Sequence, residues 1–246
     1  MTKRLMIIAL ILCVILVCAA VIILNQNDVM EVVPPAEDVY EEILPYDTQP
    51  TAEPMCLEPG NLLFIANKKH PLPDGYEPDD LTVVEVNTAG AYVRMRQEPN
   101  EAMKEMFAAA KADGANLVVA SGYRSEEYQS QLYSRYVEEG GAEFADSVSS
   151  RPGYSEHQTG LAADLSYDLN DNFADTKEGL WLAEHAWEYG FILRYPRDKK
   201  GVTGFDFEPW HYRYVGREYA KLVHESGLTM EEYFHVEGGD YENLPY

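Results

Sequence analysis

Two strings hold the residues best able to do chemistry. They are Ser155-Glu156-His157-Gln158-Thr159-Gly160-Leu161-Ala162-Ala163-Asp164 and Glu208-Pro209-Trp210-His211. Between them they offer two histidines and one aspartate, His157, Asp164 and His211, as metal ligands. A second carboxylate, Glu208, stands three residues before His211. A catalytic zinc site needs three protein ligands and an open fourth position. It also needs a base close to the water it activates. These few residues meet both needs, so the first reading is a zinc hydrolase. A lone glutamate is usually a solvated charge. An accidental metal-binding patch of Asp206, Glu208 and His211 is the competing reading. The ordered strings argue against it. For Asp164 the rival reading is a strand-edge turn former, but Leu161, Ala162 and Ala163 before it read as buried, and a buried carboxylate needs a partner that a cation supplies.

The spacing S-x-H-x-x-G-x-A-x-D followed by E-x-x-H resembles the signature of the VanY-type D-alanyl-D-alanine carboxypeptidases, a family related to lysostaphin and hedgehog domains. Ser155, His157, Gly160, Ala162 and Asp164 fill the first pattern. Ser121-Gly122-Tyr123-Arg124-Ser125 upstream and Gly190-Phe191-Ile192-Leu193-Arg194-Tyr195-Pro196 between the motifs agree with it. The resemblance covers residues 61–234. It implies Zn2+ held by His157, Asp164 and His211, with Glu208 as general base. It also implies Arg124 in the active site, with Gln129 and Ser155 as further substrate contacts. An arginine suits this place because its planar fork grips carboxylate oxygens in pairs. The implied substrate is the peptidoglycan stem peptide, losing its C-terminal D-alanine by D-Ala–D-Ala hydrolysis. An L,D cleavage of tetrapeptide stems and a peptidoglycan endopeptidase remain alternatives. A non-catalytic zinc-bearing binding module is the alternative of another class, and the presence of Glu208 and Arg124 argues against it. Trp210 and Tyr195 are candidate walls of the pocket. Arg151 reads as a solvated loop arginine, and His185, beside Trp181 and Trp187, as a packing residue.

The elements that must position these residues are short. Residues 62–66 read as an opening strand and 67–78, with three prolines and a glycine, as a surface loop. Asn100 is expected to cap a helix whose Met103, Met106, Phe107 and Ala110 share one face, ending at Gly114. Residues 117–120 form a short buried strand that delivers Arg124. Ser125 then caps a helix over 126–138. Residues 140–153 read as a long, polar, mobile loop ahead of the first motif. Strands follow at 161–166 and 191–194, separated by a helix over 178–189 that Gly190 stops. The second motif falls on a strand or its edge within 205–214. Thr229-Met230-Glu231-Glu232 matches a capping box before a last short helix. The sum is an α+β domain, a small antiparallel sheet flanked by helices, with the zinc site on the sheet.

The remainder of the chain divides by composition. Lys3 and Arg4 precede 20 uncharged apolar residues, 5–24, long enough to cross a bilayer core of about 30 Å as a helix. Residues 25–60 carry nine acidic residues, six prolines and no Lys or Arg. This asymmetry puts the N-terminus inside. The segment 1–24 therefore reads as a signal anchor at the cell membrane, a single pass with the domain extracellular; a cleaved signal peptide is the alternative. Residues 25–60 read as a disordered spacer, and 61–246 as one catalytic domain. The formal net charge of −23 argues against nucleic acid as a partner. A monomer is expected. Cys56, the one cysteine outside the apolar segment, falls in the spacer, so no disulfide is available to the domain.

Overall fold

The computed structural model describes residues 56–90 and 92–242. The expected anchor, 1–24, and all but the last five residues of the spacer lie outside them. No helix among the described residues is long and apolar enough to cross a membrane. The architecture is α+β, as expected. A two-stranded antiparallel ribbon pairs β1 (Leu81–Val83) with β2 (Arg94–Arg96). A three-stranded antiparallel sheet has the order β3 (Ala162–Asp164), β5 (His211–Tyr214), β4 (Phe191–Leu193). Seven helices accompany them among the described residues: α1 (Gln97–Ala112), α2 (Glu126–Gly140), α3 (Ala142–Val148), α4 (Lys177–His185), α5 (Lys200–Thr203), α6 (Arg217–Ser226) and α7 (Met230–Phe234).

The period-two rule of a strand sorts the sheet into a core face and a site face. Leu161, Ala163 and Leu165 enter the main core, as do Tyr212 and Tyr214 of β5. They pack there with Met103, Met106 and Ala110 of α1 and with Trp181 and Leu182 of α4. The intervening residues, Asp164 on β3 and His211 and Arg213 on β5, turn the other way and are buried too. Register does the rest: Asp164 lies directly opposite His211. A second apolar cluster gathers Ile65, Ile192, Val215, Val223, Met230 and Phe234. Cys56 belongs to that cluster and is fully buried, so the folded part begins before the boundary read at residue 60.

Several local expectations are corrected. Residues 62–66 form no strand, although 63–66 are buried. The carbonyls of Leu62 and Phe64 accept from the Arg213 guanidinium instead of from a neighbouring strand. Asn100 does not cap α1, which starts three residues earlier after Arg96. Its amide donates to Thr82 Oγ1 and the Val83 carbonyl, tying the helix to β1. Pro99 is tolerated there because first-turn N–H groups have no helical acceptor. Residues 117–120 form no named strand: Val119 bridges Thr88, and Ser121 bridges Asp164 at the edge of β3. Residues 140–153 are no loop throughout. Gly141, at φ +84°, reverses the chain, and α3 packs Ala145 into the interior. The helix expected over 178–189 is α4 followed by a tighter 3₁₀ turn, Ala186–Tyr189, before Gly190 at φ +88°. The Ser125 cap on Tyr128 N and the Thr229 capping box are both present.

Candidate active site

His157 lies in a 3₁₀ turn, Glu156–Thr159, that ends at Gly160. Gly160 has φ +69°, and a Cβ there would come within 2.9 Å of Arg96 Cγ and 3.0 Å of Leu81 Cδ2. The motif glycine is thus required both by its backbone and by the ribbon packed against it. Its carbonyl accepts from Arg96 N at 3.0 Å. The turn hands the chain to β3, which carries Asp164.

His157, Asp164 and His211 converge as the sequence implied. One ligand atom from each lies within 4.8 Å of the others, and all three residues are buried. Each ring is oriented through its second nitrogen. His157 Nδ1 lies 2.6 Å from the Gly122 carbonyl, to which only an N–H can bond. That fixes the neutral ring with its lone pair on Nε2. Nε2 is buried and makes no hydrogen bond among the described residues, although Asp164 Oδ2 is 3.3 Å away. His211 sets Nδ1 3.2 Å from Asp164 Oδ1 and Nε2 3.4 Å from Glu156 Oε2. A buried, unbonded imidazole nitrogen aimed at a carboxylate and a second imidazole fits a divalent metal and little else.

The electrostatics agree. Burial lowers the His157 pKa to about 4, with Arg124 adding to the effect. Burial also opposes charge on His211, but hydrogen bonds to Asp164 and Glu156 overcome it and hold the ring up to about 9. Burial disfavours the Asp164 carboxylate, yet the two histidines hold its pKa well below the usual range.

Glu208 opens a turn whose His211 N–H bonds the Glu208 carbonyl at 3.1 Å. Its Oε2 is 3.7 Å from His211 Nδ1. Burial pushes its carboxyl up to about 7, with the Asp164 charge adding to the push against His211 and Arg124. Asp206 lines the same cleft as Glu208 but bonds Lys200 at 2.8 Å and is not part of the converging cluster, so the accidental patch does not form. Arg124 follows the Ser121 bridge. It sets one terminal nitrogen 3.6 Å from Asp164 Oδ2 and donates with the other to Gln129 Oε1 at 3.2 Å. Its Nε is buried and unbonded among the described residues. Gln129 donates in turn to Ser149 Oγ and the Ser150 carbonyl, at 3.0 and 2.7 Å. Ser155 is buried at the wall, where its carbonyl accepts from Gln158 N. These groups line a cleft of about 510 Å³ that also takes in Tyr195, Trp210 and Val148. Arg151, read as a solvated arginine, instead grips Asp146 with two nitrogens and stacks on Tyr241 at 4.1 Å. His185 packs beside Trp181 as expected, whereas Trp187 stacks on His224.

The comparisons with known proteins decide the family. The family model described as VanY: D-alanyl-D-alanine carboxypeptidase matches residues 92–217. The chain belongs to the VanY family. The putative carboxypeptidase YodJ of Bacillus subtilis is 42% identical over 187 residues, covering 72% of this chain and 68% of that protein. The structure of the LdcB LD-carboxypeptidase is similar at a TM-score of 0.69 and 40% identity, covering 74% of this chain and 89% of that one. A vancomycin-resistance D,D-pentapeptidase VanY mutant in complex with Zn(II) is similar at a TM-score of 0.59 and 36% identity, covering 71% and 98%. The protein is a carboxypeptidase of this family.

Three residues of the site escaped the sequence reading. Glu156 and Arg194 lie inside the motif strings, yet neither is a ligand, a base or a substrate contact in the family pattern. Both are buried, with Arg213, directly behind His211. One signal was available: Arg213 is two residues after His211, so on a strand both share a face.

Proposed function

We propose that the protein is a zinc-dependent carboxypeptidase that removes the C-terminal D-alanine from peptidoglycan stem peptides by hydrolysing the D-Ala–D-Ala bond. The observation that carries the metal reading is His157 Nε2, buried and unbonded among the described residues, facing Asp164 and His211. Zinc held by these three residues would polarise the scissile carbonyl and lower the pKa of water from 15.7 towards about 7. The protein's own residues do the rest. Glu208 takes the proton of the attacking water as its oxygen adds to the carbonyl carbon. It then gives that proton to the amine of D-alanine as the C–N bond breaks. A carboxyl raised by burial suits both duties near neutral pH. Arg124 binds the terminal carboxylate of the substrate. Gln129 bonds to one of its nitrogens and holds the guanidinium in place. The acidic chain cannot attract an anionic peptide at long range, so local cations have to supply the binding.

The D,D reading is supported by the matched family model and by the similarity to a D,D-pentapeptidase. The similarity to an LD-carboxypeptidase favours a second reading, release of D-alanine from tetrapeptide stems. Both release the same residue and differ in the residue before it. Mass spectrometry of purified pentapeptide and tetrapeptide muropeptides, after incubation with the zinc-loaded protein, separates them. Loss of one alanine from pentapeptides alone is the expected result. Loss from tetrapeptides alone moves the assignment to L,D cleavage, and cleavage inside the stem moves it to an endopeptidase. The apolar run 5–24 behind Lys3 and Arg4 supports anchoring at the cell membrane, with the domain outside.

A further inference from the structure

Behind His211 the interior holds four charged side chains that the hydrolysis does not use. Glu156, Arg194, Arg213 and Glu231 have side chains 0–1% exposed. Glu156 Oε1 accepts from Arg194 Nε at 2.8 Å and from a terminal nitrogen of Arg213 at 2.7 Å. Arg194 reaches on to Glu231 of α7 with two parallel bonds of 2.8 and 2.6 Å. The Asn67 amide donates to the same Glu231 carboxylate at 3.2 Å. Two carboxylates thus balance two guanidiniums; Arg194 spends all three of its nitrogens on the two carboxylates, and Arg213 gives its remaining nitrogens to the carbonyls of Leu62, Phe64 and Tyr214. Glu156 Oε2 is different. It points out of the cluster to His211 Nε2 at 3.4 Å.

We propose that Glu156 is a positioning residue for the metal centre. Its carboxylate, immobilised by Arg194 and Arg213, accepts the Nε2 proton of His211 and so commits Nδ1 of that ring to the metal. The argument is geometric. An imidazole has two nitrogens, and a metal can take either. The backbone makes the choice for His157, whose Nδ1 bonds the Gly122 carbonyl. For His211, Glu156 makes it. The two rings turn different nitrogens to the Asp164 carboxylate, His157 its Nε2 at 3.3 Å from Oδ2 and His211 its Nδ1 at 3.2 Å from Oδ1. A carboxylate does this better than a carbonyl because it also raises the basicity of the ring. A mobile carboxylate in this place would compete for the metal. Two buried arginines prevent that by occupying its other oxygen.

The inference rests on the metal reading of the His157, Asp164 and His211 cluster. Its test therefore reads metal binding rather than peptide hydrolysis. Zinc affinity is measured by competition with a chromophoric chelator for the unmutated protein, Glu156→Gln and Glu231→Gln. Each variant removes one negative charge from the same buried cluster, so both bear a similar structural burden. Glu156→Gln should bind zinc about 10–100-fold more weakly, and Glu231→Gln should bind it as the unmutated protein does. Equal weakening in both variants, or none in Glu156→Gln, overturns the proposal. An unmutated protein that binds no zinc overturns the metal reading and this proposal with it. Because Glu156→Gln could fail to fold, a second measurement uses the unmutated protein. In the zinc-loaded protein labelled with ¹⁵N-histidine, one metal-holding ring should bind through Nε2 and the other through Nδ1. The second ring should keep a slowly exchanging Nε2–H. Two rings bound through Nε2 refute the proposal whatever the variants do.

Discussion

Replacing Glu208 by glutamine should abolish most turnover and stabilise the metal-free protein, and the second effect depends on pH in a calculable way. The Glu208 carboxyl is pushed from 4.5 up to about 7, first by burial and then by the Asp164 charge. Its side chain is 21% exposed, so solvent screens the penalty only in part. A carboxyl whose folded pKa is raised supports the fold fully below its unfolded pKa. That support is lost as pH rises through the folded value. Glutamine has nearly the same shape and does not titrate. The stability gap between Glu208→Gln and the unmutated protein is therefore small in acid and full above neutrality. A tenfold change in proton affinity is worth about 1.36 kcal/mol, so the gap should be about 1 kcal/mol at pH 5 and about 3 kcal/mol at pH 8. For a domain of this size that is a rise in Tm of roughly 6–12 °C at pH 8. Scanning calorimetry of both metal-free proteins at the two pH values reads it directly. Hydrolysis by the zinc-loaded variant should fall by about 10²–10⁴-fold, as expected on losing a general base. A gap that does not grow between pH 5 and pH 8 would show that Glu208 is not held in a charge-averse site. Near-normal turnover with full metal content would remove it from the mechanism.

Two further outcomes follow from the neighbouring groups. Arg124→Lys keeps a charge but loses the planar fork, so kcat/KM should fall about 10–100-fold with zinc content unchanged. A C-terminally amidated peptide should be a poor substrate for the unmutated protein, and equal cleavage of free and amidated peptides would refute the carboxylate fork. Because His211 is held up to about 9 in the absence of metal, zinc should displace about one proton at pH 8. Calorimetry in buffers of different ionisation enthalpy measures that proton. None released at pH 8 would mean that His211 is already neutral and that Asp164 and Glu156 do not hold its charge.

The metal cluster was legible in the sequence because its spacing is chemical. A histidine in a 3₁₀ turn, a glycine forced to positive φ, and an aspartate at the close of a short strand fix relative positions within ten residues. The bridge from Asp164 to His211 needed a longer step, the strand register, and the sequence supplied only the expectation that both lie on strands. The surrounding frame was read less well wherever a side chain replaced a backbone partner. Residues 62–66 have the apolar run of a strand, yet an arginine from β5 takes two of their carbonyls. Residues 140–153 have the composition of a loop, yet a single turn at Gly141 suffices to fold α3 against α2. Asn100 has the chemistry of a cap, but its amide is used to fasten α1 to β1.

The buried charges behind His211 illustrate the same limit from the other side. Glutamate and arginine are almost never fully buried unless paired, so composition alone assigns Glu156, Arg194, Arg213 and Glu231 to the surface. What brings them inside is that they come as a balanced set from four distant segments. No window of sequence contains that set. A buried ion pair is weak evidence of stability, since well-packed apolar residues often do as well. Its retention here is better explained by what it faces. One carboxylate oxygen of the cluster ends on the imidazole of His211, a proposed metal ligand, and an apolar substitute could not choose which nitrogen of that ring carries the proton. The cluster therefore lies on the route from sequence to chemistry, although none of its members acts on the substrate as an acid, a base or a ligand.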